Sequence, residues 1–390
     1  MQFSSGGIVS YKRQLLLSNS QKSFFLWGPR QTGKTTLLRD QFPGGVWIDL
    51  LKSDVFGKYA AMPHLLREEI SESKPSWVVI DEIQKVPELL DEVHYLIENH
   101  RIHFALSGSS ARKVKRTHAN LLGGRAHRRQ IYGLSAAEVG PEFDLVRALN
   151  HGYLPPHYSS QEVWPDLASY CGNYLKEEIA AESAVRSIPA FSEFLRMAAL
   201  SDTESVNMST FARDVGVASQ TIRDHYQILE DTLLGSWLHA YTLRPKRRQR
   251  MLPKFYFHDV GVVNFLGKRR SLEPQSELFG KAFENWIFHE LCCYNEYRGC
   301  FWDLSFWSVA NGPEVDFIVN DMELAIEAKA TKSVNSNHLG GLRALYKDYP
   351  HCKRRIIVSL DSARRRLDDG IEVWPWREFV EALWNGELGS

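Results

Sequence analysis

A glycine-rich loop near the start of the chain constrains the fold more than any other segment. Residues 28–35 read Gly-Pro-Arg-Gln-Thr-Gly-Lys-Thr, which has the spacing G-x-x-x-x-G-K-T. The apolar run 24–27 precedes the loop and the helix-like run 36–39 follows it. A strand, this loop and a helix in succession form a phosphate-binding loop. The segment therefore predicts a parallel α/β sheet that binds a nucleotide at the end of its first strand.

The chemistry of triphosphate binding assigns a role to each part of this loop. The glycines let backbone N–H groups approach phosphate oxygens, and the helix directs its positive dipole end at the same oxygens. We expect Lys34 to contact the β- and γ-phosphates of ATP and the Thr35 hydroxyl to bind Mg²⁺. The predicted nucleotide-binding residues are Gly28, Pro29, Arg30, Gln31, Thr32, Gly33, Lys34, Thr35 and Thr36.

A second motif, Trp-Val-Val-Ile-Asp-Glu at 77–82, predicts the catalytic half of the site. Its apolar residues are typical of a buried parallel strand. Asp81 then stands at the carboxyl end of the strand, where ligands bind in open α/β sheets. We expect Asp81 to hold Mg²⁺ together with Thr35 and Glu82 to orient the attacking water. The alternative is an ordinary strand that ends in a surface acidic pair.

Two further strand-like runs flank the acidic motif. The run 46–50 lies between the two motifs in the sequence, and this order resembles the additional-strand branch of phosphate-loop ATPases, to which the AAA+ proteins belong. The run 102–106 ends in Ser-Gly-Ser-Ser, where AAA+ proteins carry a polar sensor residue. Ser107 is the candidate for that role, with Ser109 as the alternative. Both serines also suit a plain exit from a strand into a loop.

A basic segment follows, because residues 111–129 hold seven Lys or Arg residues and no acidic residue. Arg125 comes after two glycines and resembles an arginine finger that reaches the γ-phosphate of a neighbouring subunit. This role predicts a homo-oligomer, with a hexameric ring as one form. A phosphate contact to DNA and a solvated surface charge are the alternatives for Arg125.

Length and composition agree with a multidomain enzyme. At 390 residues the chain is long enough for two or three domains, and 44% hydrophobic with 24% charged residues is ordinary for a soluble globular protein. The sequence has no membrane-length apolar stretch, signal pattern, or metal or disulfide spacing among its five cysteines, so we expect a cytoplasmic location. The formal net charge is zero, so only local patches would attract nucleic acid.

Residues 209–229 predict a helix-turn-helix. The first helix is expected to begin at a Ser209 cap and end at Gly216, and the second to begin at a Ser219 cap. In the DNA-binding version the start of the second helix enters the major groove, which here would present Gln220, Thr221 and Arg223. A basic run behind it suits the phosphate backbone and comprises Arg244, Lys246, Arg247, Arg248, Arg250 and Lys254. A packing or oligomerisation module is the alternative.

The last third of the chain predicts an acidic hairpin. In the strand-like run 312–319, alternation places Val315, Phe317 and Val319 on one face and Asp316 on the other. In the run 323–329, Glu327 and Lys329 share a face, and the upstream amphipathic helix 280–288 carries Glu284. Carboxylates brought together in this way can bind Mg²⁺. The order Glu284, Asp316, Glu327 and Lys329 resembles the PD-(D/E)XK nuclease pattern, whose domains either cut DNA or only bind it.

Nearly the whole chain resembles a family of bacterial and archaeal AAA+-like ATPases with a C-terminal nuclease-like domain of unknown function, the DUF4143 type. The resemblance rests on residues 28–35, 78–82, 106–109, 121–125, 254–261 and 314–329. It implies an α/β fold in which a P-loop ATPase sheet is followed by a winged-helix domain and an α/β restriction-endonuclease-like domain. The implied segments are an ATPase domain at 1–140, a helical lid at 141–185, a winged helix-turn-helix at 186–250 and a nuclease-like domain at 251–390.

Three functions are compatible with this organisation. The leading expectation is an oligomeric Mg²⁺-dependent ATPase that binds DNA and remodels it or translocates on it. The second is a nucleotide-controlled assembly switch or scaffold with a protein partner. The third is a Mg²⁺-dependent DNA nuclease that acts only when ATP is bound. All three need ATP as a ligand at the phosphate loop.

Overall fold

The computed structural model describes residues 2–3, 9–110, 112, 121–174, 185, 187–242, 251–310 and 312–388. Arg244, Lys246, Arg247, Arg248 and Arg250, which were predicted to contact DNA, lie outside these described residues.

A five-stranded parallel sheet forms the first body, after a short antiparallel pair at the amino end. The pair is β1 (Gln2–Phe3) with β2 (Val9–Ser10), and the sheet comprises β3 (Ser23–Trp27), β4 (Val46–Asp49), β5 (Trp77–Asp81), β6 (His103–Gly108) and β7 (Ala126–Gln130). Its helices are α1 (Lys34–Gln41), α2 (Ser53–Ala61), α3 (Leu65–Ser73) and α4 (Leu89–His100). The predicted α/β class with a parallel sheet is confirmed.

The strand order β4-β5-β6-β3-β7 brings the two nucleotide motifs close together at the carboxyl ends of the strands. Strand β6 lies between β3 and β5, so it is the strand that separates the phosphate loop from the acidic motif in space. Strand β4, which separates the motifs in the sequence, lies at the edge of the sheet instead. Because all five strands run parallel, the residues that follow β3, β5 and β6 meet at the same carboxyl edge.

Both faces of this sheet are covered, as expected for parallel strands. Along β3, Phe24 and Leu26 pack into one apolar cluster, whereas Phe25 and Trp27 pack into another on the opposite face. The first cluster continues into the carboxyl-terminal part of the chain and includes Trp286. The ATPase sheet and the later sheet therefore share one continuous core.

A helical region connects the two sheets. Its helices are α5 (Ala136–Val139), α6 (Leu145–His151), α7 (Pro155–Ser159), α8 (Val163–Ser169), α9 (Ile188–Leu200), α10 (Met208–Val215) and α11 (Ser219–Asp231), with a π-helical turn at Tyr170–Tyr174. The cap of α10 is Asn207, whose side chain accepts the backbone N–H groups of Ser209 and Thr210, so the predicted Ser209 cap is wrong. Gly216 ends α10 in the left-handed conformation at φ 76°, as predicted. Ala218 is the cap position of α11 and Ser219 its first residue.

An eight-stranded mixed sheet forms the second body. Its strands are β8 (Gly235–Ala240), β9 (Lys254–Phe257), β10 (Leu304–Ser308), β11 (Glu314–Val319), β12 (Leu324–Lys329), β13 (Arg354–Ser359), β14 (Arg365–Arg366) and β15 (Glu372–Pro375), in the order β14-β15-β13-β12-β11-β10-β8-β9. Its helices are α12 (Val260–Leu266), α13 (Glu277–Arg298), α14 (Gly340–Asp348) and α15 (Trp376–Trp384). Strands β8 and β9 pair antiparallel across the boundary predicted at 250/251. No helix of the described segments is both long and apolar enough to cross a bilayer.

The strand β11 contains a bulge that the alternating pattern did not reveal. Ser305 of β10 pairs with Ile318, but Trp307 pairs with Val315, so β11 uses one residue more than β10 between these two pairs. Val315 consequently packs in the cluster of Ile318, and Phe317 packs in the opposite cluster. The prediction that Val315 and Phe317 share a face is therefore wrong, because a bulge re-aims the side chains around the extra residue.

Candidate nucleotide-binding site and acidic cluster

The phosphate loop wraps around the side chain of Lys34. Its Nζ atom donates hydrogen bonds to the carbonyl oxygens of Gly28 at 2.8 Å and Pro29 at 3.0 Å. Gly33 has φ 86° and Gln31 has φ 66°, the left-handed conformation that lets a tight loop turn directly into α1. The loop geometry therefore places a lysine ammonium and the first N–H groups of α1 around one point.

Gly28 is required by packing rather than by its dihedral angles. A Cβ atom at this position would lie 2.5 Å from both the side chain and the carbonyl oxygen of Ile131. Its N–H group also donates to the carbonyl of Gly108 at 3.3 Å, which holds the loop against the end of β6. The close approach of three chain segments leaves no room for a larger residue.

Asp81 is held by two hydroxyl groups, one from the first turn of α1 and one from the neighbouring strand β6. Thr35 Oγ1 donates to Asp81 Oδ2 at 2.7 Å, and Ser107 Oγ donates to Asp81 Oδ1. Asp81 and Ser107 are both buried. A threonine hydroxyl in direct contact with a fixed carboxylate is the oxygen-rich pair that Mg²⁺ prefers. The structure thus brings together Thr35, Asp81 and the sensor candidate Ser107.

Glu82 lies beside this pair in a strained conformation. Its backbone adopts φ 60° and ψ 46°, which a non-glycine residue rarely does and which is frequent at functional sites. Ser109 Oγ lies 3.3 Å from Glu82 Oε2, and Gln84 Nε2 donates both to that carboxylate and to Ser109 Oγ, the latter at 3.1 Å. Ser109, the alternative sensor candidate, therefore contacts Glu82, whereas Ser107 contacts Asp81. Sequence reasoning missed Gln84, although its position two residues after Glu82 was a usable signal.

Arg13 supports the phosphate loop from behind, and sequence reasoning missed it. Its guanidinium donates to the carbonyl of Thr32 at 3.1 Å, to Glu138 Oε1 at 2.9 Å and to the hydroxyl of Tyr297 at 2.9 Å. It also donates to the carbonyl of Tyr132 at 2.7 Å. These partners are up to 284 residues away in the sequence, so no local pattern could have indicated them.

Helix α13 completes this support. Glu290 Oε1 accepts the N–H of Ala136 at 2.7 Å, and the Tyr297 hydroxyl accepts the N–H of Tyr132 at 3.0 Å. Helix α13 of the second body thus contacts both Arg13 and the backbone of the segment that follows β7.

Arg125 lies far from the phosphate loop of its own chain. It precedes β7, whose first residue Ala126 pairs with Ser23 at the amino end of β3. At ~3.3 Å per residue, this position is roughly 16 Å from the carboxyl edge where the loop begins. The guanidinium contacts the carboxylate of Glu98, and about a third of it is exposed. Arg125 cannot therefore contact a nucleotide bound to the same chain.

The start of α11 is accessible to a partner. Gln220 and Arg223 are exposed and Thr221 is half-buried. Gln220 Nε2 donates to Asp224 Oδ1 at 2.9 Å and its Oε1 accepts from Arg223 Nε at 3.3 Å. Lys254, predicted as part of the basic DNA-binding run, is instead buried, so that prediction is wrong for this residue.

The predicted acidic hairpin brings its residues together in a cluster with two lysines. Lys329 Nζ lies 2.6 Å from Glu327 Oε1, and Asp316 Oδ2 accepts the N–H of Ala328 at 2.8 Å. Glu284 Oε1 accepts from Lys254 Nζ at 3.2 Å. No group of three or more His, Cys, Asp or Glu side chains suited to a metal ion occurs within the described parts of the chain.

Burial controls the protonation of this cluster. It raises the pKa of Glu327 to about 8, with Asp316 adding to the rise. Burial also raises the pKa of Glu284 above its usual value, although the ammonium of Lys254 opposes the shift. For Lys254 burial acts in the lowering direction, but Glu284, Asp316 and Glu314 outweigh it and keep the lysine pKa above its usual value.

Together the parallel sheet, the phosphate loop and the Thr35–Asp81 pair define a P-loop ATPase domain. A family profile described as an AAA domain matches residues 20–140. Profiles of two domains of unknown function, DUF8612 and DUF4143, match residues 142–273 and 279–379. The chain therefore contains an AAA-type ATPase domain, and the expected DUF4143 domain is present.

Two mycobacterial proteins are similar to this chain in sequence. Uncharacterized proteins of Mycobacterium bovis and Mycobacterium tuberculosis are each 27% identical to this chain over 308 residues. The match covers 75% of this chain and 66% of each relative, so the chain spans just under two thirds of the length of these relatives.

Two solved structures show a remote similarity. The ORC2 protein of Aeropyrum pernix in its ADP form is 11% identical with a TM-score of 0.34, over 64% of this chain and 89% of that chain. A signal transduction ATPase with numerous domains from Pyrococcus horikoshii is 13% identical with a TM-score of 0.23, over 74% of this chain and 51% of that chain. These TM-scores are too low to support any inference about the function of this chain.

Proposed function

We propose that the chain is a Mg²⁺-dependent ATPase that binds DNA and uses ATP hydrolysis to remodel it or to translocate on it. The observation that carries the ATPase part is the hydrogen bond between Thr35 and Asp81, which joins the phosphate loop to the acidic strand. The residues present fit ATP and Mg²⁺, because a lysine ammonium, helix N–H groups, a hydroxyl and a fixed carboxylate meet at one edge of the sheet.

Each side chain of the site has a separate task in this mechanism. Lys34 exchanges its loop carbonyl partners for the β- and γ-phosphate oxygens, and the N–H groups at the start of α1 bind the same group. Thr35 and Asp81 would hold Mg²⁺, and Ser107 keeps Asp81 oriented. A bound Mg²⁺ would supply positive charge that stabilises the transferring phosphoryl group.

Glu82 positions the attacking water in the proposed mechanism. Its carboxylate is held by Gln84 and Ser109, so its direction is set before the substrate binds. A positioned carboxylate that accepts a proton in the transition state contributes typically ~10²–10⁴-fold to a rate. Glu82 is therefore the proposed catalytic base, whereas Asp81 is the proposed Mg²⁺ ligand.

The DNA part of the proposal is supported by the exposed start of α11. Gln220 and Arg223 are side chains suited to base edges and phosphates, and both are accessible. The three helices α9, α10 and α11 followed by the antiparallel pair β8 and β9 are the elements that a winged helix-turn-helix uses. We infer that α11 is the recognition helix of this module.

An oligomer is the proposed active form. Arg125 is too far from the phosphate loop of its own chain, yet it is accessible beside Glu98. If Arg125 acts as an arginine finger, the ATP site of one subunit must therefore face the end of the next subunit's sheet at which the parallel strands begin. A hexameric ring is one closed arrangement of such head-to-tail contacts.

The decisive experiment measures ATP hydrolysis with single-stranded, duplex and branched DNA, together with particle size with and without ATP. We expect DNA to stimulate hydrolysis and DNA binding to weaken steeply with salt, because phosphate contacts release counterions. Equal rates with every DNA, combined with ATP-dependent assembly, would favour the nucleotide-controlled switch with a protein partner. Failure to bind ATP at all would exclude both functions.

A matched pair of variants tests α11. Arg223→Ala should weaken DNA binding by ~10-fold, since one arginine contact is worth ~1–3 kcal/mol. Arg343→Ala removes another exposed arginine, this one from α14, where it pairs with Asp369, and should leave DNA affinity unchanged. Equal losses in both variants would argue against α11 as the DNA-binding element.

A further inference from the structure

The acidic cluster of the second sheet is built around a buried lysine. Lys254 Nζ lies 2.5 Å from Glu314 Oε1 and 3.2 Å from Glu284 Oε1. Its side chain is only 4% exposed. The ammonium also lies 5.4 Å from the centre of the Phe306 ring, at cation–π distance. The three elements β9, α13 and β11 thus meet at one positive charge.

Glu284, Asp316 and Glu327 each have a donor on one carboxylate oxygen, whereas Glu327 Oε2 is buried without a hydrogen-bond partner among the described residues. Besides Lys254, Glu284 Oε1 accepts from the hydroxyl of Tyr256 at 2.6 Å. Glu327 Oε1 is paired with Lys329 at 2.6 Å. Asp316 Oδ2 accepts a backbone N–H. Mg²⁺ would need near-octahedral oxygen ligands at ~2.0–2.1 Å, and it would have to bind next to an ammonium that repels it.

We propose that Lys254 is the resident cation of this cluster and occupies the place where the nuclease-like pattern would hold a divalent metal ion. Lys254 pairs with Glu284 and Glu314 from within the chain, and Lys329 pairs with Glu327. The cluster therefore joins β9, α13 and β11 as a structural centre, and it does not bind Mg²⁺ in the native protein.

This arrangement explains why the nuclease-like residues are all present in the sequence although the described residues form no cluster suited to a metal ion. The tripeptide Glu-Ala-Lys at 327–329 and the preceding Asp316 stand in the expected places. Lys254 comes from β9, 62 residues before Asp316, and is not one of the four residues of the pattern, Glu284, Asp316, Glu327 and Lys329.

Metal binding by the nucleotide-free full-length chain tests this proposal. Mn²⁺ titrations followed by electron paramagnetic resonance should show no bound ion that depends on Asp316, so that wild type and Asp316→Asn give the same result. Lys254→Met should gain one Mn²⁺ site, and the double variant Lys254→Met/Asp316→Asn should lose it again. A wild-type Mn²⁺ site that disappears in Asp316→Asn would overturn the proposal.

Thermal unfolding gives a second readout. Lys254→Met leaves Glu284 and Glu314 without their ammonium partner, so its Tm should fall by several degrees, and Mn²⁺ should restore part of the fall. The control Lys281→Met removes a lysine that also bridges two glutamates, Glu204 and Glu277, but at the surface. Its Tm should change little and should not respond to Mn²⁺.

A DNA cleavage assay tests the alternative that the cluster is a nuclease active site. Labelled DNA incubated with Mg²⁺, ATP and wild-type protein should stay intact, as it should with Asp316→Ala. Mg²⁺-dependent cleavage by the wild type that is lost in Asp316→Ala would refute the structural role. The Mn²⁺ titration does not depend on the ATPase proposal, because it can also be carried out on a P-loop variant such as Lys34→Ala that does not bind ATP.

Discussion

Thr35 Oγ1 donates a 2.7 Å hydrogen bond to Asp81 Oδ2, across 46 residues of sequence. The contact joins the first turn of α1 to the end of β5. Ser107 completes the arrangement from β6, which lies between the strands that carry the two motifs. A magnesium site of the P-loop type needs this hydroxyl–carboxylate pair, so the relationship is the structural basis for the predictions about ATP.

Lys34→Ala should abolish tight ATP binding. The ammonium of Lys34 lies inside the loop and is the side-chain cation placed for the β- and γ-phosphates. We expect the Kd for ATP to rise by ~100-fold or more, as for the loss of a buried charge-assisted contact worth ~3 kcal/mol. Equilibrium binding of a fluorescent ATP analogue measures this change. Unchanged affinity would mean that the loop does not bind the triphosphate.

Glu82→Gln should separate binding from hydrolysis. The amide keeps the size of the side chain but cannot accept the proton of the attacking water, so kcat should fall by ~100-fold or more while ATP affinity stays near wild type. Steady-state phosphate release and ATP binding are the two measurements. Glu88→Gln, an exposed neighbour, is the control and should retain normal turnover. Normal turnover in the Glu82 variant would show that another carboxylate is catalytic.

Arg13→Met should destabilise the ATPase domain. Removing the guanidinium leaves the buried carboxylate of Glu138 without its cation and the carbonyl of Thr32 without one donor. Breaking a buried pair in this way costs ~3–5 kcal/mol, which urea unfolding can measure. The exposed pair Arg196–Glu193 provides the control, because Arg196→Met should cost less than ~1 kcal/mol. Equal effects would show that Arg13 does not support the loop.

His289→Gln should reduce the sensitivity of the fold to acid. Burial lowers the pKa of His289 to about 3, so the unfolded chain binds a proton that the folded chain does not. Between about pH 6.5 and 3 the free energy of unfolding therefore falls as pH decreases, by up to ~1.4 kcal/mol per pH unit for one proton. In the variant, the free energy of unfolding should change less steeply with pH, by the contribution of about one proton. Urea unfolding from pH 7 to pH 4 measures this slope.

A control is needed for this pH prediction because other buried groups act in the opposite direction. Burial raises the pKa of Asp202 and of Glu290 from about 4 to about 7, so these acids lower the free energy of unfolding as the pH rises from about 4 to about 7. The difference between wild type and His289→Gln removes their contribution to a first approximation. Replacement of the exposed His351 by Gln should leave the slope unchanged, and an equal change in both variants would contradict the assignment to His289.

The nucleotide motifs could be predicted because their chemistry is local. The spacing of Gly28, Gly33 and Lys34 determines a loop, and the apolar run before Asp81 determines a buried strand, whatever the rest of the chain does. Ser107 followed from the same logic, since a polar residue at the end of a parallel strand meets the other strand ends. The parallel sheet was predictable for this reason.

The acidic hairpin shows where such reasoning ends. The two-residue repeat brought Glu327 and Lys329 together correctly, but a bulge in β11 placed Val315 and Phe317 in opposite clusters. Lys254 was expected at a DNA surface because it follows a basic run. Its burial depends on β9 pairing with β8 at the edge of a sheet, and nothing in the neighbouring residues indicates that pairing.

The sequence by itself determined the phosphate loop, the acidic strand end and the two helices on either side of Gly216, because short-range spacing and hydrophobic periodicity specify them. Only the tertiary structure decided that β6 separates the two motifs, that Arg13 contacts Tyr297 of α13, and that Lys254 pairs with Glu284 and Glu314. These contacts join residues that are 30 to 284 positions apart. Their geometry results from how whole sheets and helices pack, which no local pattern encodes.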